Sequence, residues 1–147
     1  MSIFGGRRET MDLRGRHIKI LWLIFIIYLA ALLRITVFRS RFDFTNVFSG
    51  GEINLVPILD LIKVFLADKR AFVYLFFGNI IWFVPFGFLL KKLTRIATPK
   101  IIFFGFLLSL FIEVMQFVFG MGVSEIDDLL LNTLGTVIGA AVGKLKK

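Results

Sequence analysis

The stretch AFVYLFFGNIIWFVPFGFLL, from Ala71 to Leu90, contains no charged residue. A helix rises about 1.5 Å per residue, so a run of about 20 residues reaches across a hydrocarbon core of about 30 Å. In lipid the backbone N–H and C=O groups must find partners within the chain, and a single segment can do that only as a helix. This stretch therefore predicts a membrane-spanning helix.

Three further stretches extend the pattern. Residues 18–38 are apolar apart from Lys19 and Arg34, residues 101–119 carry one acid, Glu113, and residues 129–143 are shorter. The chain of 147 residues is 58% hydrophobic with 19 Phe, far above the composition of a soluble domain. The predicted fold class is all-α: an integral membrane helical bundle of four transmembrane helices with one short amphipathic helix. The domain organisation read from the sequence is a basic segment 1–17, one transmembrane domain 18–143 and a basic tail 144–147. The first apolar stretch is followed by Arg34 and Arg39 and offers no small-residue cleavage site, so it reads as a retained helix.

The formal net charge of +8 follows from where the cations lie. Arg7, Arg8, Arg14, Arg16 and Lys19 precede or open the first span. Lys91, Lys92, Arg95 and Lys100 join the second to the third, and Lys144, Lys146 and Lys147 follow the fourth. Loops rich in Lys and Arg stay on the cytoplasmic side. The expected arrangement is a multi-pass protein of the cell membrane with both termini inside, and with segments 39–70 and 120–128 outside. Orientation accounts for these cations, so no nucleic-acid partner is inferred. The absence of Cys and the single His17 exclude thiolate chemistry and argue against a zinc site. No metal and no cofactor is called for.

The outer segment 54–66 carries its own signal. Pro57 suits a first helical position. Ile58, Leu59, Leu61, Ile62, Phe65 and Leu66 then cover most of a helix, leaving Asp60, Lys63 and Ala67 on a narrow polar side. Such a helix is too short to cross, so it is expected to lie in the outer interface or to re-enter.

Polar groups inside spans are costly and each requires a reason. Depth from the expected topology gathers six of them in the outer half: Arg34, Asn79, Glu113, Gln116, Asp128 and Asn132. Ser109, Glu113 and Gln116 share one face of the third span. Asp128, Asn132, Gly135 and Gly139 share one face of the fourth, and Gly135, Gly139 and Gly143 at four-residue spacing permit close helix packing. Each residue also has a plainer reading. Ser124 and Asp127 have the spacing of a capping box, acids suit a first helical turn, Asn79 could be interhelical glue, and Arg34 could pair with Glu113.

The motifs Asn79-x5-Pro85-Phe86-Gly87, Glu113-x2-Gln116 and Asp127-Asp128-x3-Asn132-x2-Gly135-x3-Gly139, with Asn54-Leu55-Val56-Pro57 in the loop, resemble the VanZ-like family of bacterial membrane proteins. The resemblance covers about residues 54–143. It departs at Ile58, where the family usually has an aromatic residue, and at Met121-Gly122, where it often has an Arg. The resemblance implies a small envelope protein related to one associated with resistance to the glycopeptide teicoplanin.

The first functional reading is a protein that binds or modifies an envelope lipid or lipid-linked cell-wall precursor at an outward polar pocket. Asn79, Glu113, Gln116, Asp128, Asn132 and Arg34 would contact the ligand, and membrane lipids or a glycopeptide would be the partners. The second is an outer-leaflet enzyme with Glu113 and Asp128 as its candidate catalytic carboxylates, although no nucleophile motif accompanies them. A channel subunit would need a homo-oligomer, and a structural or regulatory partner would need only the glycine face.

Overall fold

The computed structural model describes residues 3–37, 51–120 and 123–145, with 3–14 and 60 described by backbone alone. Phe38 and Arg39, Met121-Gly122, and Lys146 and Lys147 of the basic tail lie outside the described residues. The elements run α1 (Ile3–Thr36), β1 (Glu52–Asn54), α2 (Leu59–Ala67), α3 (Lys69–Leu93), α4 (Thr98–Val118), β2 (Val123–Glu125) and α5 (Ile126–Leu145). Among the described residues four helices are long and apolar enough to cross a membrane: Gly15–Thr36 within α1, and α3, α4 and α5. The chain is an all-α helical bundle and a multi-pass membrane protein.

The helix boundaries follow local chemistry. Asp68 caps α3 by accepting hydrogen bonds from the backbone N–H groups of Arg70 (2.8 Å) and Ala71 (3.2 Å). Helix α3 continues through Pro85 to Leu93, where Thr94 donates its hydroxyl to the Leu90 carbonyl. Pro99 stands in the first turn of α4, where its missing N–H costs nothing. The fourth span starts three residues earlier than the apolar run suggests. Asp127 and Asp128 belong to the first turn of α5, where the helix dipole favours acids.

Helices α3 and α5 form the centre, and glycine brings them together. A β-carbon at Gly135 would fall on the carbonyl oxygen of Ile80, one at Gly139 on that of Val84, and one at Gly87 on that of Thr136. Lipid tails are as apolar as leucine, so burial alone does not drive helices together in a membrane; close van der Waals contact does. Helix α4 seats against α5 where Gly105 meets the fully buried Thr136. Helix α1 packs outside, with Leu32 fully buried, the Phe25 ring 5.8 Å from that of Phe86, and the Tyr28 hydroxyl donating to the Trp82 carbonyl. The aliphatic faces exposed by this packing, such as Leu130 and Leu134 on α5, are suited to lipid.

One end of the bundle carries a feature that the sequence reading lacks. Strands β1 and β2 pair in parallel, with Ile53 opposite Ser124 and Asn54 opposite Glu125. The Gly51 N–H extends the tie by donating to the Phe117 carbonyl at 2.9 Å. The amphipathic helix α2 follows, two residues later than Pro57 predicts. Ile58 intervenes with φ 67°, a left-handed conformation that a β-branched residue adopts only under constraint.

Candidate functional site

The polar side chains of the spans collect at the sheet end of the bundle in three separate arrangements. The first is an anchor. Glu113 of α4 is 5% exposed, and its Oε2 accepts from the Ser124 hydroxyl and the Glu125 backbone N–H, both at 3.0 Å. Two residues further on, the Asp127 carboxylate accepts the Ile58 N–H through both oxygens, at 2.8 and 3.0 Å. This is the constraint that holds Ile58 left-handed. Together the two acids tie the 51–58 segment and β2 onto α4 and α5. The capping-box reading of Ser124 and Asp127 gives way here, because Ser124 donates to Glu113 while Asp127 serves Ile58.

The second arrangement is internal to the core. The Asn132 side-chain amide donates to Ser109 Oγ at 2.9 Å, and the Thr136 hydroxyl donates to the Asn132 carbonyl at 3.2 Å. All three residues are buried, so this set pins α5 to α4.

The third arrangement opens into a cavity. Asn79 of α3 donates its side-chain amide to Asp128 Oδ1 of α5. On the other side Gln116 of α4 donates its amide to the Thr36 carbonyl of α1 at 3.1 Å. Its own carbonyl, Oε1, is buried and meets no donor among the described residues. Asn79, Gln116 and Asp128 line one cavity of about 390 Å³, whose remaining wall includes Ile35, Tyr74 and Trp82. Four helices contribute to it. Of the residues lining it, Gln116 and Asp128 carry acceptor oxygens that suit the hydroxyl or ammonium donors of a ligand, and Trp82 and Tyr74 offer amphipathic surface.

Of the six polar residues singled out in the sequence, the structure thus gathers Asn79, Gln116 and Asp128 around one space. Glu113 and Asn132 lie nearby but are engaged elsewhere, and Arg34 is exposed on α1. Oε2 of Glu113 serves both Ser124 and Glu125, so the carboxylate has partners other than Arg34, which the sequence left open as one. Among the described residues no group of three or more His, Cys, Asp or Glu could hold a metal ion. Sequence reasoning passed over Ser124 and Asp127 as anchors. No local sequence signal marks them, because Ser124 lies opposite Ile53 only in the folded chain and Asp127 meets Ile58 across a long separation.

A second cavity, of about 480 Å³, lies under α2. Ile58, Ile62 and Phe65 cover it, Phe72 and Phe76 of α3 and Leu131 of α5 form its wall, and Asp127 stands at its edge.

Comparison with known proteins adds two findings. The VanZ/LLP1 family model matches residues 25–147. The chain is also similar to Protein VanZ of Enterococcus faecium, with 29% identity over 116 residues, which is 77% of this chain and 66% of that protein. The chain therefore spans just under two thirds of that relative's length. No solved structure matches.

Proposed function

The chain belongs to the VanZ/LLP1 family, and from that premise we propose that it binds an envelope lipid or lipid-linked precursor through the cavity of Asn79, Gln116 and Asp128. The observation that carries this reading is the buried Gln116 carbonyl, which meets no donor among the described residues and belongs to a residue lining the same cavity as Asp128. A buried acceptor left unsatisfied costs about 1–3 kcal/mol. A ligand hydroxyl or ammonium would remove that cost, and a head group entering among membrane helices could leave its tails in the surrounding lipid.

Orientation is part of the proposal. The basic loop between α3 and α4 and the basic ends belong in the cytoplasm by the positive-inside rule, which turns the sheet end and its cavity outward. The chain has no Cys, so single-cysteine variants report cleanly. Cys at Val123 should react with a membrane-impermeant maleimide on intact cells, and Cys at Ala97 should react only after lysis. Both positions are exposed. Labelling at Ala97 from outside would overturn the orientation.

A link to glycopeptide resistance enters through the relationship to Protein VanZ. An outward site for lipid-linked precursors would act where an acylated glycopeptide such as teicoplanin acts. The test uses Asp128→Asn, which retains an acceptor for Asn79 and removes the charge. At matched expression, cells with the parent chain should tolerate more teicoplanin than cells with the variant, whose tolerance should fall to that of cells lacking the protein. Full tolerance in the Asn variant would exclude this cavity as the seat of the effect.

A further inference from the structure

Lys69 and Arg70 open α3 at the sheet end, where two physical rules disfavour them. Cations in a first helical turn oppose the helix dipole, and an outward-facing segment next to a span tends to lack Lys and Arg. Neither is explained by an ion pair: among the described residues neither head group has a carboxylate partner. The Lys69 ammonium sits 6.0 Å from the centroid of the Phe65 ring. The Arg70 backbone N–H is taken by Asp68, and the residue is exposed.

Their position relative to the cavities supplies a reason. Lys69 and Arg70, with Val73 and Tyr74, line a shallow depression. Tyr74 also lines the cavity of Gln116 and Asp128. Phe65, beneath the Lys69 ammonium, also lines the apolar cavity under α2. An apolar chamber, a pair of cations and a pocket of hydrogen-bond acceptors therefore follow one another around the start of α3. That order of chemistry matches a phosphate-bearing amphiphile: tail, phosphate, then a polar end that donates hydrogen bonds.

We propose that Lys69 and Arg70 hold the phosphate of an anionic lipid whose tail enters the apolar cavity under α2 and whose polar end reaches Gln116 and Asp128. The proposal rests on the head-group reading of the Asp128 cavity and names its ligand class. The tail is the occupant suited to the α2 cavity. Its Ile62, Phe65, Phe72, Phe76 and Leu131 walls offer no hydrogen bonds, and the Lys69 ammonium stands beside its Phe65 wall. The phosphate comes either from a glycerophospholipid or from a prenyl-phosphate carrier, and both share this chemistry.

The test is lipid retention by the full chain in phosphatidylcholine nanodiscs doped with phosphatidylglycerol or with a prenyl phosphate, read by native mass spectrometry. The parent protein should retain the anionic lipid over phosphatidylcholine by roughly thirtyfold, since each of the two cations contributes about 1 kcal/mol toward an anionic lipid at the membrane surface. The double variant Lys69→Gln/Arg70→Gln should lose that preference, while Lys63→Gln, on α2 and outside the three linings, should keep it. Whichever doped lipid is retained identifies the source of the phosphate. Equal loss in the Lys63 variant would mean diffuse surface charge and would overturn the proposal, as would binding of tail-less glycerol phosphate with equal avidity. Loss of retention in Asp128→Asn with none in the double variant would leave the head-group reading standing and sink this one. The reverse result, loss in the double variant alone, would remove the polar-end contact and overturn the proposal along with the head-group reading.

Discussion

Gly139→Val is expected to abolish the stable bundle. The α3–α5 pair is the centre of the fold, and a side chain at Gly139 would meet the carbonyl oxygen of Val84 and the backbone nitrogen of Phe88. Backbone cannot rotate aside as a side chain can, so the helices must separate along the whole seam. Overpacking a well-filled core costs about 1–3 kcal/mol when side chains can adjust. Here the cost should reach or exceed the top of that range, about 3 kcal/mol, and the contacts along the seam that include Gly135 against Ile80 should weaken with it. Gly143→Ala is the matched control. The nearest atoms there are the Lys91 Cβ at 3.0 Å and the Phe88 carbonyl at 3.2 Å, so a shift of a few tenths of an ångström suffices. Thermal unfolding in detergent, followed by size-exclusion chromatography, should show a dispersed, low-melting Gly139 variant and a nearly unchanged Gly143 variant. An unchanged melting temperature for Gly139→Val would contradict the packing described.

Glu113→Leu should have the second largest effect, and Glu113→Gln a much smaller one. Leucine leaves the Ser124 hydroxyl and the Glu125 N–H without their common acceptor, at about 1–3 kcal/mol for each group that stays buried. It would also release β2, and with it the register of β1 and the approach to Ile58. Glutamine keeps one carbonyl oxygen able to accept both bonds, so it forfeits only the charge-assisted part, about 1 kcal/mol. Limited proteolysis at the 51–58 segment and thermal unfolding should both rank the parent above Gln and Gln well above Leu. If the Gln and Leu variants were equally destabilised, the charge on Glu113 rather than its acceptor geometry would be the essential property.

The spans were legible because their signal is compositional. A run such as 71–90 needs no tertiary information to be read as a helix in lipid, and the four-residue spacing of Gly135, Gly139 and Gly143 announces a close-packed face. What the sequence could not convey is which polar residue meets which. Depth and helical phase place Glu113, Gln116, Asn132 and Asp128 near one another, yet they do not say that Glu113 turns toward Ser124, Asn132 toward Ser109 and Asp128 toward Asn79. Those choices depend on the rotation of each helix, set by contacts such as Gly105 on Thr136. The parallel pairing of β1 and β2 was hidden for another reason. Three-residue strands more than 65 residues apart carry no local turn signal, and neither alone has enough alternation to be read. The left-handed Ile58 likewise arises from a partner, Asp127, that only the folded chain supplies. Propensity at Pro57 therefore favoured a helix start two residues too early.

The polar pocket between α1, α3, α4 and α5 is the claim on which the functional account turns, and the lipid that travels with the protein tests it most directly. The parent chain and Asp128→Asn would be extracted gently from their native membrane at equal yield, and their retained lipids compared by mass spectrometry. The account predicts a specific lipid with a hydrogen-bond-donating head group, held near one per chain by the parent and lost from the Asn variant while the bulk annular lipids stay the same. Identical lipid profiles from two equally folded proteins would contradict it.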